Sequence, residues 1–243
     1  MHKYYSGLGI GVSAKSLHQQ NVVVDVVEYD AAVVHSALNY FDLPNDLNAI
    51  HISDGRHFIF NTTSTYDYVI HDIFSNGFIS PHLFSVQVLQ QIKRILRPDG
   101  VFAMNFVAFN DDKHTLCSIK NTLLTAFKNV RLYTESLDKG DSKEQKTVKN
   151  IVFFASDLPV KFDFPQEVLA GHSIRSRMLQ SLAKNELLLD GCTAGPTGSS
   201  DNSVGAVIND GDFGVFNKYT VDVAVNHWYI MRNVFPTEFW MDY

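Results

Sequence analysis

Cysteine is scarce in this chain. Cys117 and Cys192 are the only two among 243 residues, and they stand far apart. That argues against a disulfide framework and against a cysteine-based zinc site, and it makes a reducing, cytoplasmic compartment the expectation. Positive charge is short as well. Twenty Lys and Arg face 26 Asp and Glu, a net charge of −6, so no general attraction to nucleic-acid backbones is implied. No apolar run approaches the ~20 residues of a membrane span. Met1-His2-Lys3-Tyr4 lacks the apolar segment of a signal peptide. There is no G-x-x-x-x-G-K-[ST] loop and no G-x-S-x-G elbow, so kinase and serine-hydrolase readings have no support. His57 and His71 have no further His, Cys or acid at ligand spacing, so no metal site is expected. What remains is a chain with 45% hydrophobic and 19% charged residues, the balance of a folded core rather than of disorder.

The glycines present are concentrated where they count. Gly7-Leu8-Gly9-Ile10-Gly11 follows a short run, His2 to Ser6, and precedes a helical pattern. Val22 to Val27 then reads as a buried strand ending on Glu28. Strand, glycine turn, helix, strand, acid is the order that builds a pocket for a nucleoside-bearing cofactor. Glycines let the backbone approach a ligand with no Cβ in the way. An acid at the tip of the second strand can accept hydrogen bonds from ribose hydroxyls. Glu28 follows Gly11 by 17 positions, close to the roughly 20 expected of such a unit. The third glycine of a dinucleotide G-x-G-x-x-G would fall on Val12, so a pyrophosphate ligand, as in NAD enzymes, is disfavoured. The strand that presents these glycines is short and poorly apolar for a mid-sheet position. Either it is marginal, or a fuller version of the chain carries an upstream segment.

Further along, the alternation is regular. Helices are expected over 12–20 with Ser13 near the start, over 31–41 capped by Asp30, from Arg56 to Asn61, over 81–96 and over 113–128. Strands are expected over 47–52, 66–71, 101–106, 130–134 and 150–155, with Arg97-Pro98-Asp99-Gly100 as a turn. The fold class is therefore α/β: a Rossmann-like, doubly wound, mostly parallel seven-stranded sheet with an antiparallel pair at one edge. Residues 1–157 form this domain, and 158–243 a helical or irregular extension packing on it. Within the extension, 166–188 and 216–240 read as helix, and 191–202, rich in Gly, Ser, Thr and Asp, as a mobile loop. The aromatics Trp228, Tyr229, Phe235, Phe239 and Trp240 read as packing or as a surface for a partner or second copy.

In an open α/β sheet the ligand lies at the carboxyl ends of the strands. The candidate cofactor-binding residues are therefore Gly7, Gly9, Gly11, Glu28, Tyr29, Asp54 and Gly55, with Asp72 as the candidate catalytic residue. Glu28 suits a ribose diol, Asp54 an adenine amino group, and Asp72 the crevice of the reacting group. Each acid also has a plainer reading. Glu28 could be a surface acid, Asp54 a turn former and Asp72 a cap for the segment after it.

Five ordered stretches carry a resemblance: Gly7 to Gly11, Val27-Glu28-Tyr29-Asp30, Ser53-Asp54-Gly55, Tyr66 to Asp72, and Leu96 to Val101. Over roughly residues 3–155 the chain resembles class I S-adenosylmethionine-dependent methyltransferases, and among them the spermidine/spermine synthase-like branch. The resemblance implies S-adenosylmethionine as cofactor, Glu28 on its ribose, Asp54 on its adenine edge and the glycines beside its amino-acid part. In polyamine synthases the residue at the Asp72 position deprotonates the attacking amine. This chain departs from that pattern at Ile10, where an acid recognises the decarboxylated cofactor, and at Ser75, where a second acid holds the diamine. The family's amino-terminal hairpin domain is missing too. These departures favour methyl transfer to a small-molecule or protein acceptor over aminopropyl transfer with decarboxylated cofactor. A non-catalytic binding module on the same fold is the remaining alternative. Asp210-Gly211-Asp212-Phe213 faintly resembles an acidic segment of the same family, which would bring Asp212 near the pocket.

Overall fold

The computed structural model describes residues 1–73, 81–109, 112–134, 148–162, 184–192 and 205–211, with single helical positions at 176, 179, 221, 225, 229 and 232. The strands are β1 (His2–Ser6), β2 (Val23–Glu28), β3 (Ala49–Ile52), β4 (Tyr66–His71), β5 (Leu96–Phe109), β6 (Asn129–Thr134) and β7 (Val148–Ser156). The helices between them are α1 (Val12–His18), α2 (Ala31–Tyr40), α3 (Gly55–Asn61), α4 (Val86–Ile95) and α5 (Lys113–Ala126). They form one seven-stranded sheet in the order β3-β2-β1-β4-β5-β7-β6. The first five strands of that order are parallel, and β7 runs antiparallel to both β5 and β6. The expected Rossmann-like sheet with an antiparallel edge pair is what the chain forms.

β1 is central, between β2 and β4. Its poor apolar content is solved by two tyrosines. Tyr4 is fully buried and stacks on Phe58 of α3, while Tyr5 is buried in the opposite layer. The strand's period of two sends neighbours to opposite faces. One layer gathers α1 and α2 through Ala14, Val34 and Ala37. The other gathers α3, α4 and α5 through Ile59, Ile92 and Leu123.

Local chemistry sets the helix ends. Asp30, Asp54, Ser85 and Asp112 each accept a bond from a first-turn backbone N–H, satisfying donors that have no partner within the helix. The Ser85 cap divides the helix expected over 81–96, leaving a 3-10 turn at Pro81–Leu83 before α4. The α1 helix has no side-chain cap. Gly11 takes that place in the left-handed region, and Ser13 lies inside the helix. The turn expected at 97–100 lies within β5. There the ladder jumps from Tyr66↔Leu96 to Tyr68↔Val101, so these residues bulge outward, and Arg97 pairs with Asp67.

Two expectations for the rest of the chain change. Cys117 of α5 and Cys192 are joined in a disulfide, which corrects the expectation against disulfide bonding. A separation of 75 positions hides such a pair, because contact depends on the fold and not on spacing. Helix was expected through Leu188, yet Asn185 to Leu189 is extended. Glu186 bridges Tyr133 of β6, and Arg131 and Glu186 form a two-bond ion pair. This segment covers the β6 edge, whose unpaired backbone groups would otherwise be open. Positions 176, 179, 184, 221, 225, 229 and 232 are helical, and most of the helix expected over 166–188 and 216–240 lies outside the described residues. Most of 191–202, Ser75, Asp212 and four of the five named tail aromatics lie outside the described residues.

Candidate functional site

A cavity of about 710 Å³ opens at the carboxyl ends of β1, β2, β3 and β4. That is within the roughly 300–1,000 Å³ common for small-molecule sites. Of the candidate residues it gathers Gly7, Gly9, Glu28, Tyr29, Asp54, Gly55 and Asp72. Gly11 is not among the lining residues; it serves α1 and packs against Leu43.

Gly7 explains how the site is closed at its floor. Its φ is +90°, and a Cβ there would stand 2.3 Å from the Asp72 carbonyl oxygen. The Asp72 N–H donates to the Ser6 carbonyl at 2.9 Å, so β1 and β4 remain joined up to the point where both chains turn into the pocket. Any side chain at Gly7 would push these strand ends apart.

Each acid is held by neutral donors. Glu28 Oε2 accepts from the Leu8 N–H at 2.8 Å and Oε1 from the Asp30 N–H at 3.0 Å. Asp54 Oδ1 accepts from the His57 N–H at 2.8 Å, so it caps a helix where its plainer reading was a turn former, while Oδ2 lies 4.0 Å from His82 Nε2. Asp72 is no cap. Its Oδ2 accepts from the Tyr5 hydroxyl at 2.7 Å and its Oδ1 from the Asn105 amide at 3.0 Å. A carboxylate offers about four lone-pair sites, so all three acids keep capacity for a ligand. Among the described lining residues there are four acids and no Lys or Arg, so the charge they bring is negative.

His71, the residue before Asp72, faces elsewhere, while Ile73 after it joins the cavity lining. His71 points into the opposite layer, edge-on to Phe102, with neither ring nitrogen partnered. Burial pulls its pKa down to about 4, which keeps the ring neutral. It is a core residue, as is consistent with its structural reading. Tyr5 is pushed the other way: burial first, then the Asp72 charge, raise its hydroxyl pKa, so it stays protonated and donating.

Tyr5, Asn105 and His82 were missed in the sequence. Asn105 did leave a signal, a lone amide in the apolar run Val101 to Phe109. His82, with Leu83, lines the cavity from the 3-10 turn. Arg56 of α3 donates to the His82 carbonyl at 2.8 Å and grips Asp210 with two bonds, tying the 205–211 segment to the pocket rim. The acidic segment singled out near Asp212 thus reaches this region through Asp210.

Three comparisons bear on this geometry. Residues 9–138, over half of the chain, match the family described as "Spermine/spermidine synthase domain". An "N-terminal histidine N-methyltransferase" of Emericella nidulans is 31% identical over 246 residues, covering 96% of this chain but 42% of the relative. The chain therefore spans less than half of that protein. Among solved structures, a probable spermidine synthase from Corynebacterium glutamicum aligns with a TM-score of 0.63 at 19% identity, covering 82% of this chain and 73% of that one. Human methyltransferase-like protein 13 in complex with SAH aligns with a TM-score of 0.56 at 22% identity, covering 79% and 86%. At these identities the two structures establish the fold.

Proposed function

Because the chain belongs to the spermine/spermidine synthase domain family, we propose that it is an S-adenosylmethionine-dependent N-methyltransferase whose acceptor presents an amine or imidazole nitrogen. The Emericella relative's name points to the N-terminal histidine of a protein as that acceptor. The observation that carries the reading is the cavity lining, with four acids, Glu28, Asp30, Asp54 and Asp72, and no Lys or Arg among the described residues. Such a lining suits a sulfonium cofactor and an acceptor that brings N–H donors or positive charge.

The residues present fit the cofactor. Glu28 keeps lone pairs for two ribose hydroxyls, Asp54 lines the cavity with its Oδ2 outside the cap bond and so able to take an amino donor, and Gly7 and Gly9 leave room beside the loop. S-adenosylmethionine supplies an activated methyl group, so most of the rate comes from positioning. Asp72 accepts the acceptor's N–H, turns its nitrogen lone pair toward the cofactor side and takes the proton released on methylation. Ile10 offers no carboxylate to the ammonium of a decarboxylated cofactor, which has lost its own carboxylate, and this weakens the aminopropyl alternative.

The test is incubation with S-adenosylmethionine and a short peptide beginning with His, read by mass spectrometry. One added methyl group on the peptide is expected, and none when acetylated Gly replaces His. Polyamine formed instead from decarboxylated cofactor and putrescine would overturn the reading.

The compartment expectation needs revision on one ground. No helix among the described residues is long and apolar enough to cross a membrane. The cytoplasmic expectation rested partly on unpaired cysteines, and the Cys117–Cys192 bond favours an oxidising compartment instead. Alkylation of the purified native protein without reductant is expected to label neither cysteine.

A further inference from the structure

Asp72 sits between two residues for which the proposed reaction has so far no use. Tyr5 comes from β1, Asp72 from the end of β4 and Asn105 from β5, and these strands are neighbours in that order. Strand alternation puts all three side chains on one face. Tyr4, His71 and Met104 point to the other face, into the core. One carboxylate oxygen takes the Tyr5 hydroxyl at 2.7 Å, and the other takes the Asn105 amide at 3.0 Å. The carboxylate plane is therefore fixed from both flanks.

The Asn105 amide can have only this orientation. Reversing it would set its carbonyl oxygen against a carboxylate oxygen. In the orientation adopted, Asn105 Oδ1 is buried without a partner. A buried acceptor left unsatisfied is a cost that folding alone does not explain. Both donors are neutral. A lysine or arginine in either place would hold Asp72 as firmly but cancel its charge.

Resting on the N-methyltransferase reading above, we propose that Tyr5 and Asn105 are positioning residues. They aim the Asp72 carboxylate into the cavity while leaving its negative charge uncompensated, for an acceptor that arrives as an N–H donor or cation. The lone pairs that remain on Asp72 are then the ones turned toward the acceptor. A displacement of about 1 Å in such a group costs on the order of 100-fold in rate.

The test uses Tyr5→Phe, Asn105→Ala and Asn105→Asp in the full chain, assayed with the His-initiated peptide. Tyr5→Phe and Asn105→Ala are expected to lower kcat by about 10- to 100-fold. The dissociation constant for S-adenosylhomocysteine should stay within about twofold in both, since neither residue lines the cavity. Asn105→Asp keeps the shape but removes the donor, and is expected to be at least as slow as Asn105→Ala. A packing role predicts the reverse, with Tyr5→Phe and Asn105→Asp near wild type, and that result would overturn the proposal. If wild-type protein methylates no acceptor, the functional reading fails, and the clamp is judged by crystallography. The Asp72 carboxylate should leave its place in a Tyr5→Phe/Asn105→Ala double variant with S-adenosylhomocysteine bound; an unmoved carboxylate refutes the clamp.

Discussion

The two ends of the parallel sheet carry the same kind of residue and use it in opposite ways. At the amino-terminal end, Asp25 is buried and surrounded by side chains. His2 Nε2 lies 3.0 Å from its Oδ2, the Tyr66 hydroxyl donates to the same oxygen at 3.0 Å, and the Asn48 amide donates to the other. Asp67 takes the His2 backbone N–H and the Arg97 guanidinium, each at 2.6 Å, and these bonds hold its carboxyl below the usual range. At the carboxyl end, Glu28, Asp54 and Asp72 are held by neutral donors and line an open cavity. Acids whose oxygens are taken up by side chains or backbone of the fold fasten strands together. Acids oriented but left charged can act on something else.

Removing one acid from each end should separate these roles. The largest effect belongs to Asp72→Asn, expected to lower kcat/KM by about 100- to 10,000-fold with an unchanged melting temperature; retained activity would assign proton removal elsewhere. Asp25→Ala should do the reverse, leaving three polar groups without their partner and costing about 3 kcal/mol of stability by urea unfolding. Its affinity for S-adenosylhomocysteine should not change.

His71 sharpens the contrast, because it lies next to Asp72 yet belongs to the core. Its folded pKa of about 4 lies below the ordinary 6.5. Between these values the unfolded chain binds a proton that the folded chain refuses. Stability should therefore fall as pH drops from about 6.5 toward 4, by up to about 3 kcal/mol. His71→Leu should flatten that slope without loss of stability at neutral pH, as read by melting temperature against pH. The smallest effect is Glu28→Ala, expected to weaken cofactor binding by about 1–3 kcal/mol in calorimetry. Unaltered affinity would remove Glu28 from the site.

Which of these features could be read in advance depended on how far their causes lie apart along the chain. Asp30 announced itself, since a cap acts within three residues of its own position. The glycine loop and the alternation of elements were legible for the same reason. The Asp72 clamp was not. Its partners lie 67 and 33 positions away, and they meet only because β1, β4 and β5 adjoin in an order that the sequence does not state. The break before α4 was obscured by an apolar pattern that continues across Ser85. The long strand β5 was obscured by turn residues that bulge within it.

The disulfide has a mechanical meaning. Cys117 and Cys192 close a loop that contains both β6 and β7, the antiparallel edge of the sheet. Stretched from its two ends in an optical trap, the oxidised protein cannot release that loop. Its fully extended length should fall short of the reduced protein's by roughly 250 Å, at ~3.3–3.6 Å for each of the 75 enclosed steps. The half of the sheet that carries the cavity would then bear the load and yield, while β6 and β7 stay behind the covalent tie as a protected remnant.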